Sequence, residues 1–178
     1  MIKKGIILAG GLGTRMSPIT KAVNKQLLPI NDKPLIYYPL TTLISLGIQD
    51  ILIISSPDQL HSFESLLKNG SNFGISLSYK AQDKPRGIAE ALIIGEPFLD
   101  GANCCLILGD NIFVSNIFKP ALVENFAQGA TVFTAKVNDP ERYGVISMGG
   151  NGLPERIVEK PIQFVSNDAV TGLYFYDH

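Results

Sequence analysis

Apolar residues fall along this chain in short, nearly unbroken runs, separated by longer stretches in which they recur at helical spacing. The runs cover 5–9, 51–55, 75–79, 104–108 and 131–137. A strand inside a parallel sheet is covered on both faces, so it shows such runs instead of a polar–apolar alternation. Between them, 34–46, 58–67, 87–94 and 117–126 carry the three- and four-residue spacing of helices. Pro34 is expected in the first turn of the first helix, where a missing N–H costs nothing, with Gly47 as its stop. Asp58, after Pro57, is expected as the N-cap of the second. This order predicts an open, mostly parallel, Rossmann-like α/β sheet with helices on both faces. After about residue 130 the pattern changes. Strand-like runs at 144–148, 156–159 and 169–176 follow one another without helical segments, separated by turns such as Gly149-Gly150-Asn151-Gly152. Some of these strands are expected to be antiparallel and to cover the mouth of the site.

Composition narrows the field of functions. A length of 178 residues without repeats, low-complexity tracts or linkers suits a single domain over 1–178. A formal net charge of −1 provides no basic field for nucleic acid or an anionic membrane, so the expected partners are small molecules or other protein surfaces. The first apolar run is too short for a signal peptide's core, and no stretch approaches the roughly 18 apolar residues of a membrane span. A cytoplasmic location is expected. Cys104 and Cys105 are neighbours on a predicted strand and point to opposite faces, which argues against a disulfide and for buried core thiols. His61 and His178 belong to no nucleophile–base pattern.

The chemistry begins at the end of the first strand, with Leu8-Ala9-Gly10-Gly11-Leu12-Gly13-Thr14-Arg15. Glycines let a backbone turn tightly and bring N–H groups against phosphate oxygens. Ligands of open α/β sheets sit beyond the carboxyl ends of the strands, where this loop falls, and Arg15 adds a two-pronged cation. Met16 stands where a dinucleotide fingerprint needs a small residue, and the Gly-Lys-Ser/Thr of a P-loop is absent. Lys25, in a proline-punctuated loop, can return to the same phosphates, and as an isolated residue it also reads as a solvated surface charge. Gly109-Asp110-Asn111 ends a very apolar strand. Asp110 suits Mg²⁺ held against triphosphate oxygens, and Asp-Asn is equally an ordinary turn after a strand. Gln82 can pair a donor and an acceptor with a pyrimidine edge, and as an isolated residue it also reads as a surface polar group. Glu159-Lys160 offers acceptors for sugar hydroxyls and a cation for a sugar phosphate, and is also a common surface turn.

Taken in order, Gly-Gly-x-Gly-Thr-Arg at 10–15, Lys25-Gln26-Leu27-Leu28-Pro29, Tyr37-Tyr38-Pro39-Leu40, Leu108-Gly109-Asp110-Asn111, Glu159-Lys160-Pro161 and Ala169-Val170-Thr171-Gly172 resemble the sugar-1-phosphate nucleotidylyltransferases. Among these, the likeness is to the bacterial glucose-1-phosphate thymidylyltransferases, and it runs through nearly the whole chain. The resemblance implies an Mg²⁺-dependent enzyme that joins dTTP and glucose 1-phosphate into dTDP-glucose with release of pyrophosphate. It implies nucleotide contacts from Leu8, Gly10, Gly11, Gly13, Thr14 and Arg15, and base reading by Gln82 with Gly87. Asp110 becomes the metal-binding aspartate. Tyr143, Gly144, Glu159, Lys160 and Val170 become the sugar-side residues. Arg15, Lys25, Lys160 and Asp110 carry the catalytic roles.

Members of that family continue beyond the position of His178, with a second metal-binding aspartate, further sugar contacts and helices that form a homo-oligomer. Smaller departures are Val114-Ser115 in place of Tyr-Gly, Val158 in place of a second glutamate, and Arg86 where many members are acidic, beside the base-reading segment. Two other readings stay open at this stage. One is uridylyl or cytidylyl transfer to a sugar 1-phosphate. The other is a non-catalytic nucleotide-binding or regulatory remnant.

Overall fold

Parallel strands laid side by side, with helices above and below, organise the first part of the chain. The computed structural model describes residues 1–11, 13, 16–114 and 117–178. Strand β1 (Lys4–Leu8) is followed by a short antiparallel ribbon of β2 (Pro29–Ile30) and β3 (Lys33–Pro34), then by helix α1 (Tyr37–Ser45). Next come β4 (Asp50–Ser55), α2 (Pro57–Leu67), β5 (Ser76–Ala81), α3 (Ile88–Leu99), β6 (Cys104–Leu108) and α4 (Pro120–Glu124). The remaining strands are β7 (Ala130–Lys136), β8 (Gly144–Met148), β9 (Pro154–Glu159) and β10 (Asp168–Tyr176). The chain divides into two compact units, Met1–Ala130 with Tyr174–His178, and Thr131–Leu173.

In the first unit the strand order is β5-β4-β1-β6, every neighbouring pair parallel. Ile6 lies opposite Leu52 on one side and Leu106 on the other. Side chains alternate across such strands, so both faces need cover. On one face Ile6, Leu8, Leu52, Ile54 and Leu106 pack against Ala91, Ile88, Leu92 and Phe98 of α3. On the other, α1 comes so close that a Cβ on Gly5 would stand 2.8 Å from Leu43 Cδ1. Each fully buried branched side chain of this kind contributes about 1.5–3 kcal/mol. The open, mostly parallel sheet with helices on both faces is the one expected. Cys104 and Cys105 are buried free thiols within it, and burial pushes the Cys104 thiol up to about 11.

Some boundaries differ from the sequence pattern. Pro34 lies in the β2–β3 ribbon, ahead of α1. The N–H groups of Leu35 and Ile36 are drawn to the carbonyls of Leu28 and Gln26, which delays the helix to Tyr37. Gly47 does end α1, at φ +79°, donating to Ile44 O. The N-cap position of α2 is Ser56, in extended conformation, and Asp58 falls inside the first turn. Helix α3 runs through Gly95 and Pro97 to Leu99, past the predicted end at 94, while α4 is shorter than the predicted 117–126.

The second unit is antiparallel where its pairing is defined. β8 runs against β9 from Gly144↔Glu159 onward, and Ala169 of β10 lies opposite Val145 of β8. β7 pairs with β10. Among the described residues no helix is long and apolar enough to cross a membrane.

Candidate active site

Parallel strands in register end at one level, and their following residues gather there. Gly10 and Gly11 follow β1, Ser56 follows β4, Gln82 follows β5 and Asp110 follows β6. These residues line two compartments of about 610 Å³ and about 280 Å³ that share Gly10, Gly11 and Lys25. Asp110 belongs to the smaller, Gln82 to the larger.

The glycine loop is fixed at its root. Ala9 N donates to Ile54 O at 2.7 Å, and Ala9 O accepts from Ser55 Oγ at 3.1 Å and from Asn24 Nδ2 at 3.4 Å. Further along, Thr20 Oγ donates to Gly13 O at 2.8 Å. Gly11, at φ +120°, occupies the region that favours glycine, and the place a Cβ would take is open space. Buried Asn24 also accepts from Gln26 N at 2.8 Å, which holds the short turn carrying Lys25 against the end of β1. Thr14 and Arg15, expected to add phosphate contacts, lie outside the described residues.

Lys25 Nζ meets Asp110 Oδ2 at 2.8 Å, with about a third of each side chain exposed, 31% and 34%. The other carboxylate oxygen accepts from Asn111 Nδ2 at 3.1 Å. Two residues expected from opposite ends of the first unit's sequence thus come together as a cation and an anion beside the glycine loop. Among the described residues no cluster of three or more His, Cys, Asp or Glu converges. Asp110 is a single hard oxygen donor. That suits Mg²⁺, which commonly takes one or two carboxylates and completes its shell with phosphate and water.

Two glutamines are buried, which their local sequence does not disclose. Gln82 is 4% exposed, not a surface residue, and its Nε2 donates to Glu90 Oε2 at 2.7 Å. Its partner in the expected base site, Gly87, precedes α3 at φ +100°. Gln26 had no role assigned from the sequence. It is 3% exposed, lines the smaller compartment, and its Oε1 has no hydrogen-bond partner among the described residues. Its adjacency to Lys25 was the available signal, since burial of a glutamine cannot be read from local pattern.

The residues expected on the sugar side all belong to the second unit. Gly144 pairs with Glu159 so closely that a Cβ would stand 2.9 Å from Glu159 Oε2. Lys160 N donates to Tyr143 O at 2.9 Å, and Lys160 itself has φ +44°. Its Nζ lies 3.7 Å from Glu159 Oε1, both side chains being largely exposed. Val170 follows Ala169, which pairs with Val145 beside Gly144. The Arg142 guanidinium lies over the Tyr143 ring at 5.8 Å and is held above its usual pKa by its 2.6 Å bond to Asp139.

Comparison with known proteins places the chain in a family. The sequence profile of the nucleotidyl transferase family matches residues 4–178. The glucose-1-phosphate thymidylyltransferase of Neisseria meningitidis is 55% identical over 98% of this chain and 62% of its own length. That of Xanthomonas campestris is 54% identical over 98% of this chain and 60% of its own length. The chain therefore spans about three-fifths of the curated relatives it matches. A crystal structure of a Bacillus anthracis protein assigned as a glucose-1-phosphate thymidylyltransferase, in complex with a sucrose, superposes with a TM-score of 0.91. It is 44% identical and is matched over 98% of this chain and 71% of that one. A UDP-glucose pyrophosphorylase bound to UDP-glucose gives 0.83 at 29% identity, over 99% of this chain and 76% of that one. With the family profile spanning nearly every residue, the chain belongs to the nucleotidyl transferase family and is similar, within it, to the glucose-1-phosphate thymidylyltransferases.

Proposed function

We propose that this chain serves thymidylyl transfer from dTTP to glucose 1-phosphate, giving dTDP-glucose and pyrophosphate. A phosphate oxygen of glucose 1-phosphate forms a bond to the α-phosphorus of dTTP while the bond from that phosphorus to the bridging oxygen of the β-phosphate breaks. The attacking oxygen is already anionic at neutral pH, so no strong base is required. The difficulty is electrostatic, since two polyanions must meet and charge builds on phosphate oxygens.

The observation that carries this reading is the Lys25–Asp110 pair, set beside the glycine loop where the strands end. Backbone N–H groups of Gly10, Gly11 and Gly13 cradle phosphate, and Lys25 stabilises the leaving pyrophosphate. Arg15 and Thr14 add to the phosphate contacts. Gln82 and Gly87 receive the base. Lys160 neutralises the incoming phosphate, while Glu159, Tyr143, Gly144 and Val170 contact the sugar. Mg²⁺ bound through Asp110 would neutralise charge on the triphosphate.

The test is pyrophosphate release from dTTP and glucose 1-phosphate with Mg²⁺. Lys25→Ala is expected to lower turnover by about 10² or more, since a positioned cation contributes a few kcal/mol to such a transition state. Near-normal release by that variant would remove Lys25 from the chemistry, and equal rates with dTTP, UTP and CTP would remove the base assignment.

A further inference from the structure

Glu90, in the first turn of α3, has no part in the roles above, yet it is the residue that holds Gln82. Its side chain is 13% exposed. One carboxylate oxygen accepts from Gln82 Nε2 at 2.7 Å and from Arg86 N at 3.3 Å. The other accepts from Arg86 Nε at 2.8 Å and pairs with an Arg86 terminal nitrogen, so two guanidinium nitrogens converge on that one oxygen. An ionised carboxylate only accepts hydrogen bonds, so it can face only the NH₂ end of the Gln82 amide. The carbonyl end must point elsewhere, and it lies beside the glycine loop, where a Cβ on Gly10 would stand 2.9 Å from Gln82 Oε1. A half-turn of the amide would set two acceptor oxygens against each other with no proton between them.

That choice matters to a pyrimidine. Thymine and uracil present an N3–H donor next to the O4 acceptor. Cytosine presents an N3 acceptor next to an amino donor, the reverse pattern. An amide fixed with its oxygen as acceptor and its second N–H as donor matches the first and opposes the second. We propose that Glu90, held by Arg86, is a positioning residue that locks the Gln82 amide in the orientation complementary to thymine and uracil nucleotides and adverse to cytosine nucleotides. Specificity then comes as much from the orientation forbidden as from the contact made. This rests on the reading of Gln82 as the base-facing residue. It also gives Arg86 a function, as the clamp on the positioning carboxylate.

Binding of dTTP, dUTP and dCTP to the full chain, measured by titration calorimetry alongside thermal melting, tests this. The wild-type chain should prefer dTTP and dUTP over dCTP. Glu90→Gln and Glu90→Met should each shrink that preference about tenfold, the discrimination expected of one mispaired buried hydrogen bond. A merely structural role would weaken all three nucleotides together and leave the ratio unchanged, and an unchanged ratio in both variants overturns the proposal. Gln82→Leu separates the two levels. If it abolishes the preference while the Glu90 variants keep it, only the Glu90 role falls. If Gln82→Leu keeps the preference, or the wild-type chain has none, the base-facing reading and the Glu90 proposal fall together.

Discussion

Lys25 and Asp110 neutralise each other at 2.8 Å in the compartment next to the glycine loop. An arriving phosphate must therefore compete with a carboxylate for the ammonium group. For a pair a third exposed, solvent screening limits that competition to about 1 kcal/mol. Asp110→Asn removes both the competitor and a negative charge. In EDTA this variant is expected to bind dTTP up to about fivefold more tightly than the wild-type chain, although with Mg²⁺ its turnover should fall. Calorimetric titration in EDTA checks the sign, and unchanged or weaker binding would show that the pair does not hold Lys25 back. Glu90 is a residue whose charge is set by its neighbours. Desolvation pushes its pKa up, but the hydrogen bonds from Gln82 and Arg86 outweigh this and hold it below the ordinary value of 4.5. A carboxyl with a lowered folded-state pKa adds stability that is complete above its unfolded pKa and is lost as pH falls through the folded one. The lock on Gln82 is thus fully charged at neutral pH.

Helix α3 shows what a linear pattern can and cannot disclose about an element. Gly95 and Pro97 read locally as breakers, and the predicted helix stops at 94. In the fold, Gly95 is where α3 touches β1. A Cβ there would stand 2.6 Å from Ile6 Cδ1, with Ile6 wholly buried. Lys4 Nζ then donates to Phe98 O at 2.6 Å and Leu99 O at 3.1 Å, taking up carbonyls that the end of a helix leaves unpaired. Both facts depend on a strand some ninety residues earlier, and neither appears in the local sequence. Gly95→Val is expected to destabilise the chain by about 1–3 kcal/mol through overpacking, measured by urea denaturation. A loss below the error of that measurement would mean that the α3–β1 contact gives way freely. The strands were more legible, because burial on both faces leaves contiguous apolar runs, and β6 keeps its predicted limits. In the site, Lys25 and Asp110 could be found from motif and strand end, whereas the burial of Gln26 and the Glu90–Gln82 bond are products of packing.

At the scale of the whole chain, each compact unit carries its own group of expected residues, phosphate and base contacts in the first and sugar contacts in the second. Strands β1, β4, β5 and β6 run the same way, so Gly10, Gly11, Ser56, Gln82 and Asp110 come from one rim of the sheet. The opposite rim carries connections such as the exposed turn at Asp100 and Gly101 between α3 and β6. A loop there can grow cheaply, because closure entropy rises by only about 0.6 kcal/mol for each doubling of length. A short Gly/Ser insert between Asp100 and Gly101 is therefore expected to leave the dTTP dissociation constant within about twofold, while the same insert between Gly10 and Gly11 should abolish binding. Sidedness of this kind makes the far rim the natural place to attach a fluorophore or an affinity handle, where it can report on the molecule without touching the ligand.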